Sequence, residues 1–311
     1  MNHLTLVPQG GLCNRLRAVL SAVSLVESLF PEARLRVGWS AAPECAARFD
    51  QLFAPLSPAP SAQAAPSAQA APSAQPAPPA QAAPPAQACS ILGGRASEPL
   101  PFLTIGPRRW FDRPVTRRNL HWPALVRSVL YTAQYRNTPP PVEALCGKVY
   151  VSTGRAFCDY SPAYVRRLRP LPHLQQRIAA LSAHFDAHTV GIHIRRTDHA
   201  TAIAESPDSL FIDAIAGAIA ADPEANFFLA TDDTALKARL MAQFPSRITV
   251  QECRGTRADL RGMEEAVVDL WTLARTSRIL GSYWSSYTDT AAEIGGIPLE
   301  IIRKQPSPPR I

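Results

Sequence analysis

The feature of this chain that most restricts its fold begins at His188, where short β-branched runs alternate with segments of helical period. Thr189 to Ile194 is apolar and largely β-branched, the pattern of a strand buried on both faces. Pro207 opens a helix that runs to Ala221, with Leu210, Phe211, Ile215 and Ile219 on one side. Asn226 to Thr231 is the next strand. Asp233 to Phe244 follows as a helix with Leu236, Leu240 and Met241 apolar, and Ile248 to Gln251 as a strand. Gly262 to Thr276 reads as a helix carrying Val267, Val268, Leu270, Trp271 and Leu273. Arg278 to Leu280 is a short strand before Gly281-Ser282, and Ser286 to Gly295 is a last helix. Strands separated by helices cannot pair as tight hairpins, because each crossover returns the chain to the same end of the sheet. The expected product is a parallel sheet covered by helices on both faces.

The N-terminal part follows the same α/β grammar less clearly. His3 to Val7 reads as a strand closed by Pro8, and Gln9-Gly10-Gly11 as a turn. Cys13 to Leu29 is helical, since Leu12, Leu16, Val19, Leu20, Val23 and Val26 return every three or four residues. Arg34 to Trp39 and Val149 to Ser152 suit strands, and Pro162 to Phe185 is helical in parts, broken at Pro170 and Pro172. Between them, Cys89 to Tyr160 is aromatic in character, with a helix expected over Trp122 to Tyr135. Residues 57–88 are different material. Prolines 60, 66, 72, 78 and 84 and glutamines 63, 69, 75, 81 and 87 recur in a Pro-Ser-Ala-Gln-Ala-Ala-like unit without charge or large apolar groups. Such a unit buries too little surface to offset its ordering entropy, so a disordered insertion is expected. The resulting division is an N-terminal α/β domain over 1–185, interrupted by 57–88, a C-terminal α/β domain over 186–303, and a flexible tail over 304–311.

Lys and Arg number 32 against 25 Asp and Glu, a formal net charge of +7. That balance suits an anionic partner and is compatible with peripheral contact at a membrane surface; a solvated basic surface accounts for it equally. The arginines occur as scattered pairs rather than a stripe with interleaved aromatics, which argues against a nucleic-acid face. No run approaches the roughly 18 apolar residues of a spanning helix, and Met1 to Gly11 lacks the pattern of a signal peptide. The six cysteines are widely spaced with no C-x-x-C pair. A structural zinc site is therefore not expected, and reduced thiols in a cytoplasmic protein are the simplest account, with a secreted alternative left open by the even count.

In doubly wound sheets ligands sit beyond the carboxyl ends of the strands, so the polar residues there are the candidates. In Gly191-Ile192-His193-Ile194-Arg195-Arg196-Thr197-Asp198, alternation puts His193 and Arg195 on one side, and a planar guanidinium suits phosphate. The bland alternative is a surface arginine pair beside a core histidine. In Ala230-Thr231-Asp232-Asp233 one aspartate is positioned to cap the next helix, while the other can hold an arginine or accept from a ribose or base. Asp269 lies in an apolar helix one turn after Glu265, where a charge needs a partner. Ser282, Ser285 and Ser286 sit where a strand turns into a helix, either as caps or, with free helix N–H groups, as a phosphate site. Gly10-Gly11 with Asn14 and Arg15 is a weaker signal that backbone approaches a ligand. No metal cluster is apparent; Asp232-Asp233 suggests a manganese-type site, but arginine and helix N-termini can neutralise a departing diphosphate without an ion.

Three of these places together resemble the fucosyltransferase superfamily, which includes the α-1,6-fucosyltransferases, the bacterial nodulation fucosyltransferases and, more distantly, the α-1,2- and protein-O-fucosyltransferases. The resemblance is carried by His193-Ile194-Arg195-Arg196-Thr197-Asp198, by Phe228-Leu229-Ala230-Thr231-Asp232-Asp233, and by Ala266-Val267-Val268-Asp269-Leu270 through Ile279-Leu280-Gly281 to Trp284-Ser285-Ser286. The opening Gly10-Gly11-Leu12-Cys13-Asn14-Arg15-Leu16 is similar to the first-domain loop of several members, which brings Gly11 and Asn14 into the donor site. The resemblance implies a GT-B-like fold of two Rossmann-like domains, with 1–185 the acceptor side and 186–303 the nucleotide-sugar-binding domain, and metal-independent, inverting transfer from GDP-fucose to a glycan or other hydroxyl acceptor, with no further cofactor. It implies that His193 and Asp269 recognise guanine, that Arg195 binds the diphosphate with Ser285 and Ser286 in support, that Asp232 and Asp233 shape the ribose or base pocket, and that Arg196 and Asp198 brace the site. The family's proposed base, a glutamate soon after the arginines, is shifted here, and Glu205 is the nearest candidate. Tyr287 stands where glutamine is usual. A non-catalytic nucleotide- or glycan-binding protein of the same fold would keep Arg195 and the serines but lack the base.

Overall fold

The structure, a computed structural model, describes residues 1–56, 90–92, 103–105, 148–197 and 200–304. The proline-rich repeat at 57–88, the helix expected over Trp122 to Tyr135, Asp198 and all but the first residue of the tail lie outside them.

Two parallel five-stranded sheets organise the described residues. In the first, β1 (His3–Pro8) is central, flanked by β2 (Arg34–Gly38) and β5 (Lys148–Thr153), with β3 (Ser90–Leu92) and β4 (Leu103–Ile105) at the edges. Helix α1 (Leu12–Leu29) connects β1 to β2 and is buried nearly all round, from Leu12 to Val26. Short α2 (Pro162–Val165) and α3 (Pro172–Leu181) each start on a proline, which has no N–H to leave unbonded at a helix start; they lead from β5 to the second sheet.

The second sheet has the order β10-β9-β6-β7-β8, built from β6 (Thr189–Ile194), β7 (Asn226–Thr231), β8 (Ile248–Val250), β9 (Arg278–Ser282) and β10 (Leu299–Ile302). The chain steps outward from β6 to β8 and then returns to the other side of β6, so the topological switch lies between β6 and β9. Helices α4 (Ala200–Glu205), α5 (Asp208–Ala221), α6 (Thr234–Gln243), α7 (Leu260–Leu273) and α8 (Ser286–Gly295) make the crossovers. Strand alternation sorts the two faces. Val190, Ile192, Ile194, Phe227, Leu229 and Leu280 pack with Phe211 and Ile215 of α5 and with Leu236 and Leu240 of α6. Phe228, Ala230 and Ile279 face the other way, toward Met263, Val267 and Leu270 of α7 and Ala291 of α8. That second core is continuous with the one around α1 and β1, so a single apolar body joins the two sheets.

The expected strands and helices from His188 onward are present with small shifts at their ends. Two elements there were not anticipated. Strand β10 follows Gly-Ile-Pro and carries only four residues, too few for a period to register; α4 is a six-residue helix, Ala-Thr-Ala-Ile-Ala-Glu. Met241, expected on an apolar side, is 39% exposed.

Helices α7 and α8 approach the sheet closely because glycine stands beneath them. A Cβ on Gly281 would lie 2.0 Å from Cγ2 of Thr288, which is fully buried, and one on Gly191 would lie 2.7 Å from Oγ1 of Thr276. Gly281→Ala is therefore expected to lower the unfolding free energy by about 1–3 kcal/mol through overpacking, measured by urea denaturation; an unchanged midpoint would show that α8 can move away freely.

Candidate functional site at the carboxyl ends of the second sheet

Parity continues past the end of β6 and separates two adjacent arginines. Residues 190, 192 and 194 face α5, and Arg196 follows them into that side: its Nε and Nη2 donate to Oδ1 of Asp208 at 2.8 and 2.5 Å, Nη2 also to the Ser206 carbonyl at 2.9 Å, and Nη1 to the Arg195 carbonyl at 2.8 Å. Asp208 also pairs with Arg239. Burial alone would raise the Asp208 carboxyl, but Arg196 and Arg239 outweigh it and hold the group below its usual range. Residues 191 and 193 face α7 and α8, and Arg195 follows them into a cleft.

Among the described residues that cleft is lined by His193 and Arg195 at the end of β6, Ala230 to Asp232 at the end of β7, Cys253 and Gly255 to Arg257 after β8, Gly262, Glu265, Ala266 and Asp269 of α7, and Tyr287 of α8. His193 is buried, stacks on Tyr287 at 4.7 Å between ring centres, and shares a 2.6 Å hydrogen bond between Nδ1 and the Thr288 hydroxyl. Burial pushes its imidazole down to about 4; Asp232 opposes the shift and Arg195 and Arg196 add to it. The ring is therefore neutral at pH 7. Asp269 shows the mirror effect. Only 7% exposed, its carboxyl is raised by burial to about 7 against the pull of Lys237 and a hydrogen bond from Gln251.

The other sequence candidates divide between cleft and scaffold. Asp232 contributes to the cleft wall, but its carboxylate is committed to the loop after β6, accepting from the Arg196 N–H at 2.7 Å and from the Thr197 N–H and hydroxyl at 3.2 and 2.7 Å. Asp233, implied by the resemblance in a ribose or base pocket, caps α6 instead, accepting from the N–H groups of Ala235 and Leu236. Arg196 is held by Asp208 and the Ser206 carbonyl, on the side away from the cleft. Ser282 joins the two switch strands, accepting from the Arg195 N–H at 3.0 Å and donating to the His193 carbonyl at 3.3 Å. Ser285 is the N-cap residue of α8 without capping it, and its buried hydroxyl has no hydrogen-bond partner; neither it nor Ser286 is among the cleft-lining residues. Glu205 ends α4, where its carbonyl accepts from the Lys304 N–H, and it too is absent from the lining. A six-residue helix that begins just after Thr197 turns the chain back toward β10 before Glu205 is reached.

The first sheet reaches the cleft through its loops. Gly10 adopts φ +77°, a left-handed conformation natural to glycine, and its carbonyl accepts from Arg15 Nε at 2.7 Å while Nη1 of the same buried arginine reaches the Ser40 carbonyl. Gly11 lies against cleft residue Arg257: a Cβ there would sit 3.6 Å from its Nη1. Asn14 packs against Gly10 and Gly154, outside the cleft lining. The charge of Arg195 acts on the buried Cys13 thiol at the start of α1, which burial pushes up.

The loop after β8, from Gln251 to Arg257, supplies cleft residues that sequence reasoning passed over. Its one signal was position, a strand end like the others, with Gly255 at φ +67° against the Asp232 carbonyl. No group of three or more His, Cys, Asp or Glu placed to hold a metal ion occurs among the described residues. No helix there is long and apolar enough to cross a membrane.

No family model and no curated protein matches the sequence. The fold has clear counterparts among solved structures. NodZ α-1,6-fucosyltransferase co-crystallized with GDP is 16% identical, covering 94% of this chain and 92% of that one, with a TM-score of 0.55. Fucosyltransferase NodZ from Bradyrhizobium is 15% identical over 94% and 93%, with a TM-score of 0.59. POFUT1 in complex with GDP-fucose is 11% identical over 97% of each chain, with a TM-score of 0.55. This chain shares with them a GT-B-like architecture of two α/β units with parallel sheets.

The buried neutral imidazole has a measurable consequence. The folded His193 titrates near 4 and an unfolded histidine near 6.5. Between those values the unfolded chain binds the extra proton, so this residue's contribution falls as pH drops through 6.5 toward 4. Asp269, raised to about 7, acts oppositely over the same range. The variant His193→Gln is expected to remove only the first effect. Its unfolding free energy relative to the parent should rise by about 2–3 kcal/mol from pH 7 to pH 4; a difference independent of pH would show that His193 is not buried as neutral imidazole.

Proposed function

We propose that this chain is a glycosyltransferase that takes a sugar, fucose, from GDP-fucose and passes it with inversion, and without a metal ion, to a hydroxyl of a glycan or other acceptor. The observation that carries this reading is the pairing of Arg195 with Asp269 in one cleft at the carboxyl ends of a parallel sheet. A guanidinium matches the paired charges of a diphosphate, and a buried carboxylate matches the N–H donors on the Watson–Crick edge of guanine. The neutral His193 beside them adds a polar edge without a competing charge. Support also comes from two of the fold counterparts, NodZ co-crystallized with GDP and POFUT1 in complex with GDP-fucose. In this reading Arg195 stabilises the GDP leaving group as charge develops on it, and Gly11, beside cleft residue Arg257, approaches the donor from the first unit, the acceptor side.

Glu205 is the proposed acceptor of the hydroxyl proton on the resemblance alone. Its absence from the cleft lining favours a second reading, a nucleotide- or glycan-binding protein of the same fold that does not turn over. Two measurements separate them. Calorimetry with GDP, UDP and ADP is expected to show tight binding of GDP alone, with R195A weakening it by about a hundredfold or more, because a desolvated diphosphate would lose its paired charge. Equal affinity of R195A for GDP removes the diphosphate assignment. Turnover of GDP-fucose on a glycan array then distinguishes enzyme from binder, and full turnover by E205Q rejects Glu205 as the base.

A further inference from the structure

Behind Asp269 lies a buried amide whose hydrogen bonds are fully used. Gln251 follows β8 directly and is 5% exposed. Its Nε2 carries two hydrogens and has two acceptors in reach, the Glu265 carbonyl at 2.9 Å and Oδ1 of Asp269 at 2.8 Å. Its Oε1 accepts from Nη2 of Arg177, on α3, at 2.8 Å. Turning the amide over would set oxygen against two acceptors and NH₂ against a guanidinium, so the network admits one orientation. Asp269 therefore has Oδ1 committed, while Oδ2 has one hydrogen-bond contact among the described residues, the Cys253 thiol at 4.0 Å.

The charged and titratable groups around this carboxylate come from every element packed on it. Lys237 of α6 binds the Gln251 carbonyl and Cys253 Sγ at 3.0 and 3.1 Å, Glu265 lies one turn away on α7, Tyr287 stands on α8, and Arg177 reaches in from α3. Burial and Glu265 favour the protonated acid; Lys237, Gln251 and Arg177 favour the anion. The two forms recognise different bases. An anion accepts from the N1–H and N2–H of guanine, whereas the acid donates to N1 of adenine while its carbonyl oxygen accepts from N6–H.

We infer that Gln251, held in orientation by Arg177, is a positioning residue that keeps Asp269 an acceptor and thereby sets selectivity for guanine over adenine nucleotides, an inference that rests on the reading of Asp269 as the base contact. The relay crosses from α3, ahead of the second sheet, to the base end of the cleft, so selectivity depends on residues that touch no ligand.

Calorimetric titrations of the full chain with GDP and with ADP between pH 6 and pH 8.5 test it. The parent's preference for GDP is expected to grow as pH rises through 7. In Q251L the GDP-to-ADP affinity ratio falls about tenfold, since a charged hydrogen bond is lost, and the rise moves to higher pH. R177M, a change at a partly exposed residue, moves both readouts in the same direction by less and serves if Q251L does not fold. A Q251L variant with the parent's ratio and pH profile overturns the inference, as does an equal loss for both nucleotides with a lowered melting temperature, which marks a purely structural role. A parent chain that binds neither nucleotide overturns the reading of the cleft itself and this inference with it.

Discussion

The way the chain leaves β6 determines the rest of the site. Asp232, from the end of the neighbouring strand, grips the backbone N–H groups of Arg196 and Thr197, and hydrogen bonds from N–H to a carboxylate are stronger than neutral ones. From the other side, the Arg196 side chain is drawn down to Asp208 and the Ser206 carbonyl. With its backbone held at one face and its side chain at the other, Arg196 leaves its predecessor one direction to take. Arg195 enters the cleft because Arg196 is fixed outside it. Ser282 completes the arrangement by tying the Arg195 N–H and the His193 carbonyl to β9, across the strand boundary where the sheet's order reverses. An arginine presented this way has lost part of its conformational freedom before any ligand arrives, which reduces the entropy it gives up on binding.

That geometry would be of little use if the wall opposite were free to move. The continuous core from Leu4 and Leu6 through α1 to Val267, Leu270 and Ala291 makes the two sheets parts of one packed body. Polar contacts over the same interface add direction: Arg17 of α1 meets Asp289 of α8 at 3.5 Å, and the Tyr160 hydroxyl donates to Glu293 at 2.9 Å. Partly exposed pairs of this kind contribute at most about 1 kcal/mol each, so the apolar contact between α1 and α8 holds the interface and the ion pair sets its register. The consequence reaches the cleft through Arg257, whose carbonyl accepts from Ala46 N–H and whose guanidinium lies over Gly11.

The sequence made the second sheet legible because its strands are apolar on both faces and its helices are amphipathic, two periods that do not overlap. Within the site, alternation along β6 was enough to place His193 and Arg195 together, and it extends to Arg196 one residue later. Other assignments were open for physical reasons. Asp232 and Asp233 are chemically identical neighbours, and only the start of α6 decides which one caps; the answer lies in backbone geometry. Ser285 looks like a capping serine and is not one. The Gln251–Arg257 loop has no period, so nothing short of the sheet order could bring it beside Asp269. Glu205 was chosen by distance along the chain, and the turn of α4 makes that distance a poor guide to space.

The cleft also has a polarity that follows from sheet order. Arg195 and Ser282 stand at the switch between β6 and β9, near the middle of the sheet, whereas Gln251 and Cys253 follow β8 at its edge and meet Asp269 there. Arg195 and Asp269 are thus separated by the width of β7, with the neutral His193 on the β6 side and Arg257 in the loop after β8. A ligand anionic at one end and rich in N–H donors at the other fits this cleft in a single direction, since reversal would set phosphate against the carboxylate. In the proposed reading a nucleotide lies across the strand ends, with its phosphates at the switch and its base toward β8.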